Sequence, residues 1–261
     1  MSWFQETSRS ASSPRRWAVV LAWAGWMAGP AWADDVHVAV AANFVAPMQK
    51  LAVDFEKASG HKVVLVSGAT GKFYAQIKNG APFEVLLAAD DDTPARLVAE
   101  GAAQPGTQFT YAIGKLVLWS AQPGLVDEQG AVLKRTDLHH LAIANPKLAP
   151  YGAAGLETLK KLGLLDAWQA RFVQGENISQ TYQFVASGNA ELGFVALSQV
   201  WRDGQITAGS AWVVPSAYYA PIRQDAVLLN PGAGRPAAQA LLKFLKGDAA
   251  KAVILSYGYA L

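Results

Sequence analysis

"HKVVLVSGATGKFYAQIKNG", residues 61–80, decides how the rest of the chain is read. "KVVLVS" is an apolar, β-branched run of strand length. "FYAQIKN" follows as a short helix stopped by Gly80. Between them sit Ser67, Gly68, Ala69, Thr70 and Gly71, all small, none charged, two hydroxylated. A strand passing straight into a helix is a building unit of an α/β fold. A turn cleared down to hydroxyls and backbone N–H groups at a helix start suits either a tight turn or an anion site.

The same rhythm extends to both sides. "VHVAVAA" (36–42) is a buried-strand run, and Phe44, Met48, Leu51 and Phe55 then recur at helical spacing up to Gly60. "EVLLAA" is a third strand, followed by a helix from "DDDTPARLVAEG" with Asp92 or Thr93 as its cap. "QFTYAIGKLVLWSA" (108–121) is extended and broken at Gly114. Beyond it "LAIANP", "LGFVAL" and "SAWVVP" read as strands. "GAAGLETLKKLGLL" and "ISQTYQFVASG" read as helices. "IRQDAVLLN" and two helices close the chain. The expectation is α/β, two lobes around a cleft: residues 34–114 with 219–261, and residues 115–218. Each lobe is a mainly parallel sheet flanked by helices.

Residues 1–33 read as a separate object. Arg15-Arg16 precede the apolar run 17–29, and Ala31 and Ala33 form an A-x-A site. The run is shorter than the roughly 20 residues a bilayer span needs, so it reads as a secretory signal cleaved after Ala33. The export route, general secretory or twin-arginine, stays open. Three of the 22 basic and one of the 20 acidic residues precede Asp34, so the remainder is formally neutral. No basic patch calls for nucleic acid. With no cysteine there is neither a disulfide framework nor a thiolate metal site.

Enzyme signatures are scarce. His37, His61, His139 and His140 show no ligand spacing, and there is no G-x-S-x-G elbow. "GATGK" lacks the spacing and the Ser or Thr after Lys72 that a phosphate-binding P-loop requires. Asp90-Asp91-Asp92 suits helix capping better than metal binding. What the chain does have is a set of strand-to-helix turns. These are Ala42-Asn43, Ser67–Gly71 (67–71), Pro150-Tyr151-Gly152-Ala153 and Asn177-Ile178-Ser179. Four helix starts facing one cleft, at the carboxyl ends of strands, could hold an oxyanion without Lys or Arg.

With these turns in view, the chain resembles the periplasmic molybdate-binding proteins of ABC transporters. The resemblance rests on "AANF" (41–44), "SGATGKFYAQIKNGAPFEVLLAADDDTPARL" (67–97), "YAIGKLVLWS" (111–120), "NPKLAPYGAAGLETL" (145–159), "GENISQTYQFVASGNAELGFVALSQ" (175–199) and "YYAPIRQDAV" (218–227). It implies the two-lobed type II periplasmic binding protein fold, closing on molybdate or tungstate, with no cofactor and no catalysis. By position it implies oxyanion contacts from Ala42, Asn43, Thr70, Tyr151 and Ile178. Ala42 keeps only its backbone N–H and Ile178 also contributes its own. Tyr151 supplies the phenol that another branch takes from the position of Ala196. The implied partner is a membrane permease, the implied state a monomer. Lys72 is expected to point to solvent. A receptor for sulfate or phosphate, and an enzyme or an effector-binding domain on the same fold, are the alternatives.

Overall fold

The structure, a computed structural model, describes residues 34–261. The signal segment and its cleavage after Ala33 lie outside the described residues. The first half alternates strand and helix: β1 (Asp35–Ala41), α1 (Val45–Ser59), β2 (Lys62–Gly68), α2 (Thr70–Lys78), β3 (Val85–Leu87), α3 (Asp92–Ala99) and β4 (Phe109–Gly114). Then come β5 (Leu116–Ser120), β6 (Leu141–Ala144), α4 (Pro150–Lys161), α5 (Leu165–Gln169), β7 (Phe172–Gly175), α6 (Ile178–Ala186), β8 (Leu192–Ala196) and α7 (Leu197–Val200). A small hairpin of β9 (Trp201–Arg202) and β10 (Gln205–Ile206) leads to β11 (Ser210–Val213). Then β12 (Ile222–Leu228), α8 (Pro236–Leu245) and α9 (Asp248–Ser256) end the chain.

Two five-stranded sheets carry these elements, in the orders β2-β1-β3-β12-β4 and β11-β5-β8-β6-β7. Each is parallel but for one reversed strand. In the first sheet β12 runs antiparallel to both β3 and β4. In the second β5 runs antiparallel to both β8 and β11. The backbone passes between the sheets at Lys115 and again over residues 214–221.

Sequence periodicity sets the packing. Phe44, Met48, Leu51 and Phe55 are all buried, joining Val36, Val38 and Val40 of β1 in one core. Gly60 ends α1 in the left-handed conformation, φ 76°, where a side chain would be strained. The helix expected over "GAAGLETLKKLGLL" is shorter at its far end. Gly163 takes φ 68°, so α4 stops at Lys161 and α5 restarts at Leu165. Among the described residues, no helix is long and apolar enough to cross a membrane.

Candidate functional site

The strand-to-helix turns meet. β1 runs into a single 3-10 turn, Ala42–Phe44, that feeds α1. β2 runs through Ala69 into α2. From the other sheet, the chain leaving β6 enters α4 with Pro150 in its first turn, and the chain leaving β7 enters α6 at Asn177. One small cavity is lined by all of these ends, and Ala42, Asn43, Thr70, Tyr151 and Ile178 all line it. Its volume is about 210 Å³ counted to the open mouth. No lining residue is charged.

The hydroxyls of Thr70 and Tyr151 are both buried, and each accepts one hydrogen bond from the protein. Ala89 N–H donates to Thr70 Oγ1 at 2.9 Å, and Gln224 Nε2 donates to Tyr151 OH at 3.0 Å. Among the described residues neither hydroxyl donates in return, so each has its own proton available. At α6, Asn177 Oδ1 accepts from Ser179 N at 2.9 Å and Gln180 N at 3.0 Å. That cap leaves the N–H of Ile178, the first helical residue, without an intrahelical acceptor. The cavity is therefore walled by donors and by methyl-sized apolar groups.

Asn43 is held from behind. Its Nδ2 donates to Gln224 Oε1 at 2.8 Å and to Tyr259 OH at 3.0 Å. Ser198 Oγ and Tyr259 OH each donate to the Asn43 carbonyl at 2.8 Å. Tyr111 OH lies 3.1 Å from Gln224 Oε1 and 2.9 Å from the carbonyl of Ala88. Burial raises the Tyr111, Tyr151 and Tyr259 phenols above the ordinary value, the neighbouring phenols adding to the effect at Tyr111 and Tyr151. All three are protonated, neutral groups at physiological pH.

Several contacts join the two sides. Gly71 N–H donates to the Leu148 carbonyl at 2.9 Å, and Ser179 Oγ donates to the Ala42 carbonyl at 3.2 Å. Lys72, expected to project into solvent, instead reaches Glu176 Oε2 at 2.7 Å. Both side chains remain largely exposed.

The caps of α2 and α3 differ, and the one expected at α3 is corrected. Ala69, not Thr70, precedes α2 as its N-cap; Thr70 is the first helical residue and its hydroxyl serves the β3 end instead. At α3, neither Asp92 nor Thr93 caps: Asp90 Oδ1 accepts from Thr93 N at 2.9 Å. Burial raises the Asp90 carboxyl, and the bond from Thr93 works against that shift. Among the described residues no group of acidic or imidazole side chains has metal-binding geometry. A larger open hollow adjoins the cavity, carrying Asp90, Asp91, Asp92 and Glu157 against Lys147 and Arg223. Its surplus of carboxylates opposes a dianion, so the small neutral cavity is the better anion site.

Sequence reading found the turns but not the shell behind them. Gln224, Ser198, Tyr111 and Tyr259 were not singled out. The only signal for Gln224 was an uncharged polar residue inside the strand run "IRQDAVLLN". Tyr259 lies two residues from the chain end, where no local pattern marks burial.

Comparison with known proteins supplies the context. Residues 36–260 match the family described as bacterial extracellular solute-binding protein. A molybdate-binding protein ModA of Azotobacter vinelandii is 60% identical over 243 residues, covering 93% of this chain and 96% of the relative. A protein of the same name from Rhodobacter capsulatus is 50% identical over 260 residues, covering 99% of each. The solved structure of an Azotobacter vinelandii periplasmic molybdate-binding protein superposes with a TM-score of 0.84 at 47% identity. It covers 87% of this chain and 99% of that one.

Proposed function

The chain belongs to the bacterial extracellular solute-binding proteins, and from that premise we propose that it captures molybdate, or the isosteric tungstate, and hands it to the permease of an ABC transporter. The fold is the two-lobed type II α/β arrangement of its relative of known structure. The observation that carries the reading is the uncharged, donor-lined cavity where five turn residues from both sheets converge. Fully deprotonated molybdate and tungstate present only acceptor oxygens, and this cavity offers hydroxyl and helix-start N–H donors to meet them.

In this reading Thr70 and Tyr151 donate their hydroxyl protons to the anion. Ala42, Asn43 and Ile178 contribute backbone N–H groups, since both N–H bonds of the Asn43 amide are engaged elsewhere. Residues 34–114 with 219–261 move as one lobe and residues 115–218 as the other, bending at Lys115 and in 214–221. The protein works as a periplasmic monomer beginning at Asp34. It carries the anion as cargo and not as a cofactor, and does no chemistry on it.

Calorimetric titration of the chain from Asp34 onward with molybdate, tungstate, sulfate and phosphate tests the reading. Tight binding of the first two and weak binding of the others is expected. Preference for sulfate or phosphate would reassign the ligand, and heat from none of the four would reject an oxyanion site.

A further inference from the structure

The phenol of Tyr151 can either donate to a ligand or donate backwards into the protein, and the neighbouring groups decide which. Gln224 lies on β12, fully buried, and does not line the cavity. Its amide nitrogen donates to Tyr151 OH at 3.0 Å, while its carbonyl oxygen accepts from Asn43 Nδ2 at 2.8 Å and faces Tyr111 OH at 3.1 Å. Tyr111 OH has a single hydrogen for which the Ala88 carbonyl at 2.9 Å competes, so the donor that holds that oxygen is Asn43 Nδ2, and the nitrogen is turned towards Tyr151. A phenol that accepts from an amide N–H must direct its own hydrogen elsewhere.

The backbone makes room for this bond. At Gly114, the last residue of β4, an added Cβ would collide with Tyr151 OH and lie 2.6 Å from Gln224 Nε2. Gly114 has no positive φ, so chain conformation does not require glycine there. What requires it is the hydroxyl–amide pair lying against its Cα.

We propose that Gln224 is a positioning residue: by donating to Tyr151 OH, in space left by Gly114, it commits the tyrosine proton to the bound oxyanion without touching the ligand. The assignment rests on the oxyanion reading of the cavity. It also links β12, the strand that follows the second crossing between the sheets, to the N-terminal turn of α4 on the far side of the cleft. The reverse network, with both amides turned over, would make Tyr151 donate to Gln224 and free the Asn43 amide for the anion. The two networks predict opposite results.

The experiment is a double-mutant cycle by calorimetry with molybdate, using Gln224→Met, Tyr151→Phe and the combination, together with Gln224→Glu titrated from pH 6 to 8.5. Tyr151→Phe is expected to weaken binding by about 10- to 150-fold, the range for one hydrogen bond to a charged group. Gln224→Met should cost about tenfold with Tyr151 present and less than about twofold in the Tyr151→Phe background. An ionised carboxylate from Gln224→Glu would accept the phenol's hydrogen bond, turning its O–H away from the ligand, and repel the anion. Once protonated, its O–H would donate to Tyr151 as the amide does. Burial raises such a carboxyl, so this variant should bind poorly at pH 8.5 and recover at least about tenfold by pH 6, while the wild type stays level. Additive losses in the cycle, or Tyr151→Phe binding at wild-type strength while Asn43→Ala fails, would overturn the proposal. If Gln224→Glu does not fold, the methionine cycle decides alone. Wild-type protein that binds neither molybdate nor tungstate would instead overturn the oxyanion reading itself, and the proposal with it.

Discussion

Thr70 separates a dipole-based site from a charge-based one. Its hydroxyl is buried, accepts from Ala89 and has a free proton. Thr70→Ala should weaken molybdate binding by about 10- to 150-fold, the value of one hydrogen bond to a charged group. It should also lower stability by about 1–3 kcal/mol, because Ala89 N–H loses its buried acceptor. Thr70→Ser should keep most of both. Lys72, two residues on, is paired with Glu176 on the exposed rim. Exposed pairs contribute at most about 1 kcal/mol, so Lys72→Ala should change affinity by less than about fivefold, with Glu176→Ala doing the same. Titration of all four variants at physiological salt checks this. A large loss with Lys72→Ala beside an unaffected Thr70→Ala would mean that charge holds the anion.

The helix starts bring the two sides within contact, and α2 shows how closely. A Cβ on Gly71 would stand 3.0 Å from Leu148 Cα and 3.3 Å from its carbonyl oxygen, on the opposite wall. Gly71 is the second residue of α2 and has no positive φ, so alanine suits the helix itself, by up to about 1 kcal/mol. Gly71→Ala should therefore leave the ligand-free melting temperature unchanged or slightly raised, yet weaken molybdate binding. Thermal unfolding with and without anion reads both. A variant that loses ligand-free stability would instead point to a packing role within its own side. Elements of this kind were legible because local pattern fixes them: Phe44, Met48, Leu51 and Phe55 mark α1, and Gly60 marks its end. What local pattern cannot carry is pairing across the fold. β7 was missed because "FVQG" is a four-residue edge strand with no alternation, defined only by its pairing with β6. The Lys72–Glu176 pair and the Gln224 network were missed for the same reason, since their partners lie 104 and 73 or more positions apart.

At the scale of the molecule, the cavity is walled by turns from both sheets. An anion that touches both sides favours the closed arrangement by its differential affinity. Small-angle scattering should show a smaller radius of gyration with molybdate, and an unchanged radius with binding confirmed would mean a site that opens without lobe motion. The buried phenols make a second prediction for the whole fold. Tyr111, Tyr151 and Tyr259 hold their protons above the pH at which unfolded tyrosine, near 10, releases them. Their contribution is complete below that pH and is lost as pH rises from it towards the folded values. Urea midpoints should hold steady through neutral pH and fall steeply above about pH 10. Flat midpoints up to pH 11.5 would show that the phenols are not buried as described.

The absence of charge from the cavity lining has an electrical consequence. Residues 34–261 are formally neutral, and no side chain in the cavity is available to cancel what enters. Loading therefore does not neutralise the ion but transfers its entire double negative charge to the protein surface field. Empty and filled molecules differ in electrophoretic mobility as well as in shape.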